Sequence, residues 1–209
     1  MKIGLQIPFF TWPGGAKEIG PTLRKIARTA DQGGFDLIGV MDHFFQIQSI
    51  GPPEQDMLEA YTTLGYLAAN TSRARLVTIV TGAVYRYPGV IAKIVTTLDV
   101  LSGGRGMLGI GAGWNEYEAK SLGIPFQPVA ERFEWLEDTL RLCLQVWEGR
   151  RVSSRGQKVH VRAPAELAPE PHAAASADHD RRHGRAEDSS PRRQICGCVQ
   201  SLSDAAGRA

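Results

Sequence analysis

The apolar run Leu37–Met41 ends on a carboxylate and an imidazole, Asp42 and His43, followed by the flat ring of Phe44. An imidazole titrates near neutrality and can give or take a proton at a reacting centre. The carboxylate beside it can accept from a ligand hydroxyl or amide. Three other apolar runs end in comparable fashion, at Pro8-Phe9-Phe10, at Ile79-Val80-Thr81-Gly82 and at Gly111-Ala112-Gly113-Trp114. Without a Cβ, Gly111 and Gly113 let backbone approach a flat ligand closely, and Phe10, Phe44 and Trp114 would wall it. Each group also has a plainer reading. His43 is then a core imidazole, Asp42 a helix cap or loop acid, the glycines a tight turn, and the aromatics ordinary core. Glu116 and Glu118 read as solvated acids of a polar segment, with Glu116 within reach of a pocket mouth. No set of ligands has metal spacing, and the G-x-S-x-G nucleophile elbow is missing.

Positioning these groups needs a scaffold, and the first 150 residues repeat strand-then-helix four times. Ile3–Ile7 is a short apolar run. The next helix sets Leu23, Ile26, Ala27 and Ala30 on one face, with Pro21 near its first turn and Gly33-Gly34 at its end. Leu37–Met41 follows as strand and roughly Glu54–Ala69 as helix. Arg75–Val80 is strand, and a helix opens at Pro88. Gly106–Ile110 is the fourth strand, and the last helix carries Phe133, Leu136, Leu140, Cys143, Leu144 and Trp147 on one stripe. Near-continuously apolar strands alternating with helices mean a parallel sheet covered by helices. An open doubly wound sheet and a (β/α)8 barrel both qualify. The GIGAG of residues 109–113 looks like a dinucleotide fingerprint, but that motif belongs to the opening strand–helix turn. In a barrel every strand delivers its C-terminal end to one face, where all four groups would meet. The expectation is an α/β TIM (β/α)8 barrel fold, of which residues 1–162 hold about the first four units.

A formal charge of +2 gives no strong pull toward nucleic acid or membrane. Cys143, Cys196 and Cys198 make neither a disulfide framework nor a zinc set. The N-terminal stretch MKIGLQIPFF carries one Lys and meets Pro8 too early for a signal peptide. No apolar stretch reaches bilayer length. The reading is a cytoplasmic protein with a small-molecule substrate.

Three stretches carry a family resemblance: GGFDLIGVMDHF, then TSRARLVTIVTGAVYRYPGVIAKIVTTLDVLSGGRGMLGIGAGWNEYEAKSLGIPF, then ERFEWLEDTLRLCLQVW. They resemble the luciferase-like monooxygenase superfamily, and within it the branch that uses the deazaflavin coenzyme F420, from residue 1 to about 162. The resemblance implies an oxidoreductase that binds a deazaflavin in the barrel mouth and transfers hydride between it and a small organic substrate. In the alternative FMN branch, a luciferase-like monooxygenase, reduced flavin activates oxygen. Asp42 and His43 match positions that contact the cofactor, His43 with the proton-handling role. Ile79, Val80 and Thr81 match the segment backing the ring, where the family often has a non-prolyl cis peptide. Gly111, Ala112 and Gly113 match the segment beside it. Some relatives carry a catalytic Glu at the position of Trp114, so Glu-dependent sugar-phosphate chemistry is not implied and the substrate stays open. The full-length family also forms homodimers in some cases.

Residues 163–209 read differently, with no aromatic residue, no Lys and no apolar periodicity. One reading is a disordered tail. A sharper one is a frameshift between about Val161 and Glu166. Ser176–His183, back-translated with permitted codons and moved by one base, reads PPIMIGGT, close to the family's continuation. Such a slip would leave half a barrel with raw edges, crippled by loss of its second half, a non-catalytic remnant in the limit.

Overall fold

A computed structural model describes residues 1–148, 152–155, 160–163 and 195–196. Four strands run parallel in chain order: β1 (Gly4–Ile7), β2 (Leu37–Val40), β3 (Arg75–Thr78) and, after the short β4 (Thr81–Gly82), β5 (Gly106–Gly111). Their pairing places Leu5, Ile38 and Leu76 in one row and Ile7, Val40 and Thr78 in another. Because strand side chains alternate faces, these rows share a face with each other and not with Gln6, Gly39 and Val77 between them. That face meets the helices. Ile38, Val40, Leu76, Leu108 and Ile110 join Leu23, Leu64, Leu67, Ile91 and Val95 in one apolar core. Burying each such Leu or Ile stabilises by roughly 2 kcal/mol, so the helix-facing rows fix the register.

The helices are α1 (Ala16–Gln32), α2 (Ala60–Asn70), α3 (Pro88–Leu101), α4 (Glu116–Ser121) and α5 (Val129–Trp147). Contacts run from α1 to α2, α2 to α3 and α3 to α5, as one-step right-handed crossovers place successive helices on one side. The strand order has no reversal, which a doubly wound sheet requires at its binding crevice.

Several boundaries differ from expectation. α1 begins at Ala16, so Pro21 is its sixth residue and not in its first turn. α2 begins at Ala60 and not near Glu54, because the Glu59 side chain caps it by accepting from the Thr62 N–H at 2.7 Å. β3 stops at Thr78, and the peptide between Ile79 and Val80 is cis, the feature the resemblance implied. On α5 the buried stripe is rotated. Leu142 and Val146 are buried with Leu136 and Cys143, and Leu144 is exposed.

Beyond α5, β6 (Val152–Arg155) and β7 (His160–Ala163) form an antiparallel ribbon. β7 therefore crosses the expected boundary at residue 162. A two-residue strand, β8 (Ile195–Cys196), runs parallel to β5 opposite Leu108 and Gly109. That pairing joins the tail to the fourth strand of the repeat. The rest of residues 163–209 lies outside the described residues, as does the expectation of disorder there.

Candidate functional site

The C-terminal ends of the strands converge on two polar networks. In the first, Asp42 follows β2 and is buried, with 2% of its surface exposed. One of its oxygens accepts from the Gly82 N–H at 3.1 Å, and the Arg86 guanidinium grips both oxygens at 2.7 and 2.9 Å. The same guanidinium reaches Glu59 at 2.6 Å and lies over the Tyr61 ring at 5.0 Å. Burial works against the charge on Arg86, but Asp42 and Glu59 outweigh it and raise its pKa. For Asp42, burial pushes the carboxyl up against the pull of Arg86 and Gly82. The forked, charge-assisted geometry favours the ionised form. Behind this pair the Tyr61 hydroxyl meets Thr81 at 2.6 Å, and Thr78 donates to the Gly109 carbonyl at 3.0 Å. Burial raises Tyr61 to about 12.

The second network surrounds His43. Its Nδ1 lies 2.8 Å from Oε2 of Glu118, which also accepts from the Tyr85 hydroxyl at 2.6 Å. Oε1 of Glu118 accepts from the backbone N–H of Phe44 and, at 3.0 Å, of Phe45. Glu118 is completely buried. Burial would raise its carboxyl, but the bonds from His43, Tyr85 and Phe45 prevail and hold it below the usual range. Burial and the neighbouring carboxylate push the Tyr85 phenol well above its ordinary value. Phe44 separates the networks, edge-on to Tyr85 at 5.3 Å with Arg86 at 5.8 Å from its centroid.

Around His43 the wall is mixed. Trp114, half exposed, stands edge-on to the imidazole at 5.5 Å. Ile79, Val80, Gly111, Ala112 and Gly113 are partly exposed. Gly113 has φ +79°, and a Cβ there would press on Val84, so bare backbone is required at that point. Arg132, buried on α5, donates to the Gly113 carbonyl and fixes this turn.

Among the expected site residues, Asp42, His43, Phe44, Ile79, Val80, Gly111, Ala112, Gly113 and Trp114 are brought to one end of the sheet. Phe10 is not a pocket wall. It is completely buried, packed edge-on to Trp12 at 6.0 Å, while Phe9 beside it is exposed. Thr81 is likewise buried, its hydroxyl spent on Tyr61 and Thr78. Of the two acids read as solvated, Glu116 is, paired with Lys120 at 2.7 Å. Glu118 is the opposite case. It was missed along with Tyr85 and Arg86. The available signal was position: Asn115 caps α4, so Glu116 and Glu118 face different ways, and Arg86 sits just before the helix-opening Pro88.

Among the described residues no group of three or more His, Cys, Asp or Glu is placed to hold a metal ion, and no helix is long and apolar enough to cross a membrane. Burial pushes the Cys143 thiol up to about 12, which leaves it unreactive.

Known proteins resemble this chain in sequence and fold. The luciferase-like monooxygenase family matches residues 1–188, past the point near 162 where the resemblance was read to stop. An F420-dependent glucose-6-phosphate dehydrogenase of Kineococcus radiotolerans is 34% identical over 144 residues, covering 68% of this chain and 42% of that protein. An F420-dependent secondary alcohol dehydrogenase, solved with an F420-acetone adduct, superposes with a TM-score of 0.66 at 22% identity over 81% of this chain and 49% of its own. The oxygenating constituent of 3,6-diketocamphane monooxygenase from a Pseudomonas putida plasmid, solved with FMN, gives 0.63 at 21% identity over 78% and 44%. The two structural likenesses show a shared fold. The chain spans about half the length of the curated relatives it matches. With the family matched over residues 1–188 of 209, the chain belongs to the luciferase-like monooxygenase family.

Proposed function

We propose that this chain is the N-terminal half of a luciferase-like (β/α)8 barrel whose full form is an oxidoreductase using coenzyme F420. The observation that carries the reading is His43: one ring nitrogen is held by Glu118, and the other has no partner among the described residues, beside bare backbone at 111–113. The residues present fit a flat ring. Gly111 and Gly113 offer bare backbone, their Cβ directions being taken by Val80 and Val84, and Ile79, Val80 and Ala112 offer partly exposed apolar surface. When bound, a deazaflavin supplies hydride acceptance or donation. His43 holds or moves a proton at its free nitrogen, while Trp114 and Phe44 limit water at that edge. Asp42 acts through Arg86 and the Gly82 amide, a positioning part in place of direct contact, because its oxygens are already engaged.

FMN is the second reading, favoured by the FMN-bound likeness above. The substrate is a small organic molecule. The glucose 6-phosphate in the relatives' name is not carried over, because the chain covers 42% and 47% of two such relatives and the family resemblance implies that Trp114 replaces a catalytic Glu. For residues 163–209 we retain the frameshift reading, against which the family match to residue 188 and the β8 pairing both pull. The nucleotide sequence across codons 160–167 decides it.

The functional test is a titration of the 209-residue chain, and of a frame-restored version, with F420 and FMN, following ring absorbance. The restored protein is expected to bind F420, and His43→Ala to lower kcat more than cofactor affinity, because proton handling matters in the transition state. The unrestored chain is expected to show neither binding nor turnover. No binding of either cofactor by the restored protein would overturn the proposal.

A further inference from the structure

We propose that Glu118 is a positioning residue for His43, fixing its neutral imidazole with the proton on Nδ1 and the free lone pair on Nε2. The neighbours of the carboxylate leave little choice. A carboxylate offers about four acceptor positions, and four groups occupy them: the N–H of Phe44 and of Phe45 on Oε1, and His43 Nδ1 and the Tyr85 hydroxyl on Oε2. Two of the four are backbone amides, which can only donate. Completely buried, the carboxylate has no water to accept from instead. An ionised carboxylate cannot donate, so Nδ1 must. A neutral imidazole carries one proton, which leaves Nε2 bare.

Nε2 has no partner among the described residues, and the His43 side chain is 13% exposed. Trp114 braces the ring edge-on at 5.5 Å, and Glu118 lies four residues further along the same segment. That one segment thus holds the imidazole at two places. A neutral His43 then meets a ligand as a proton acceptor, and Glu118 stabilises the imidazolium formed when Nε2 is protonated. The functional meaning rests on the proton-handling role proposed above; the tautomer itself does not.

The tautomer is read directly from the ring nitrogens. The 209-residue chain is labelled with 15N and its imidazoles observed by long-range 1H–15N correlation, at a pH where the rings are neutral. The sequence has five histidines, and His43 is assigned by the signal lost in His43→Asn. The wild-type chain is expected to show protonated Nδ1 and unprotonated Nε2. In Glu118→Gln the amide oxygen stays with the Phe44 and Phe45 amides, because turning it would set its NH2 against two donors. Its NH2 then faces Nδ1, and the proton is expected on Nε2, exchanging the pattern of the two nitrogens. Tyr85→Phe removes one donor from Oε2 and is expected to leave the wild-type pattern in place.

A wild-type ring protonated on Nε2 overturns the inference, and so does a folded Glu118→Gln with an unchanged pattern, which is the result a merely structural Glu118 would give. If Glu118→Gln does not fold, the wild-type spectrum still tests the tautomer, and a Tyr85→Phe ring protonated on Nε2 overturns the inference. Failure of F420 and FMN to bind would defeat the functional proposal and leave these spectra as they are.

Discussion

Replacing Asp31 tests how the end of the sheet opposite the site is held. Asp31, at the end of α1, is 6% exposed, and its carboxylate accepts from the N–H groups of Ser72 at 2.9 Å, Arg73 at 3.0 Å and Ala74 at 2.7 Å, and from the Ser72 hydroxyl at 3.1 Å. It ties the first helix to the loop that starts β3. In Asp31→Ala the exposed amides of Ser72 and Arg73 regain water, while the buried amide of Ala74 is orphaned. An unsatisfied buried donor costs about 1–3 kcal/mol, and losing the charge-assisted bonds brings the expected total to roughly 2–4 kcal/mol. Asp31→Asn keeps one oxygen for Ala74, so about 1–2 kcal/mol is expected. Urea unfolding measures both as a lower midpoint at unchanged slope. Acid supplies the second check. Burial raises the Asp31 carboxyl, but the amides of Ala74, Ser72 and Arg73 outweigh it and hold the pKa below 3.8. A depressed folded pKa means the carboxylate's contribution is complete above the unfolded value and is lost as pH falls through the folded one. The gap between wild type and Asp31→Asn should therefore hold from about pH 7 to about pH 5 and shrink below about pH 4. A gap that persists into strong acid, or an Asp31→Ala cost under about 0.5 kcal/mol, would refute the reasoning.

Two further outcomes follow from the site. Arg86→Met leaves Asp42 buried with the Gly82 amide alone, so destabilisation of about 3–5 kcal/mol is expected; adding Asp42→Asn should recover part of it in a double-mutant cycle, and simple additivity would deny the pairing. Gly109→Ala would set a Cβ on the Thr78 carbonyl, whereas Gly111→Ala meets only the Val80 methyl at 3.2 Å. The first should cost about 1–3 kcal/mol and the second under about 1 kcal/mol, and equal thermal shifts would contradict the strand spacing.

The fold was legible where one periodicity dominates. Runs such as Leu37–Val40 and the stripe Leu23, Ala27, Ala30 face a single core, and the structure keeps them. Leu144 shows the limit. A stripe at helical spacing is about as wide as the face that it buries, so a residue at its margin goes either way until the partner helix is known. α2 shows another, since Glu59 begins that helix by its own cap and no turn signal nearby marks it. The aromatics failed for a related reason. Phe9 and Phe10 are neighbours of one residue type with rings 6.2 and 6.0 Å from Trp12, and only the seating of Phe10 in the core buries it while Phe9 stays exposed.

In the candidate site Asp42 and His43 stood out in the sequence and their partners did not, which follows from distance along the chain. His43 and Glu118 are separated by 75 residues, and Asp42 and Arg86 by 44. A local reading assigns an acid in the first turn of a helix to solvent, because that is where the helix dipole and water both favour it. Glu118 breaks the rule because four donors compensate its burial, three of them on the segment 43–45 and the fourth on Tyr85. Both networks also close within residues 42–118. The hydrogen bonds on His43 and Glu118 therefore come from residues 43–118, and α5 adds the Arg132 bond that fixes the Gly113 turn beside Trp114. A change in residues 163–209 can remove a cofactor's other contacts and still leave the imidazole held in its tautomer.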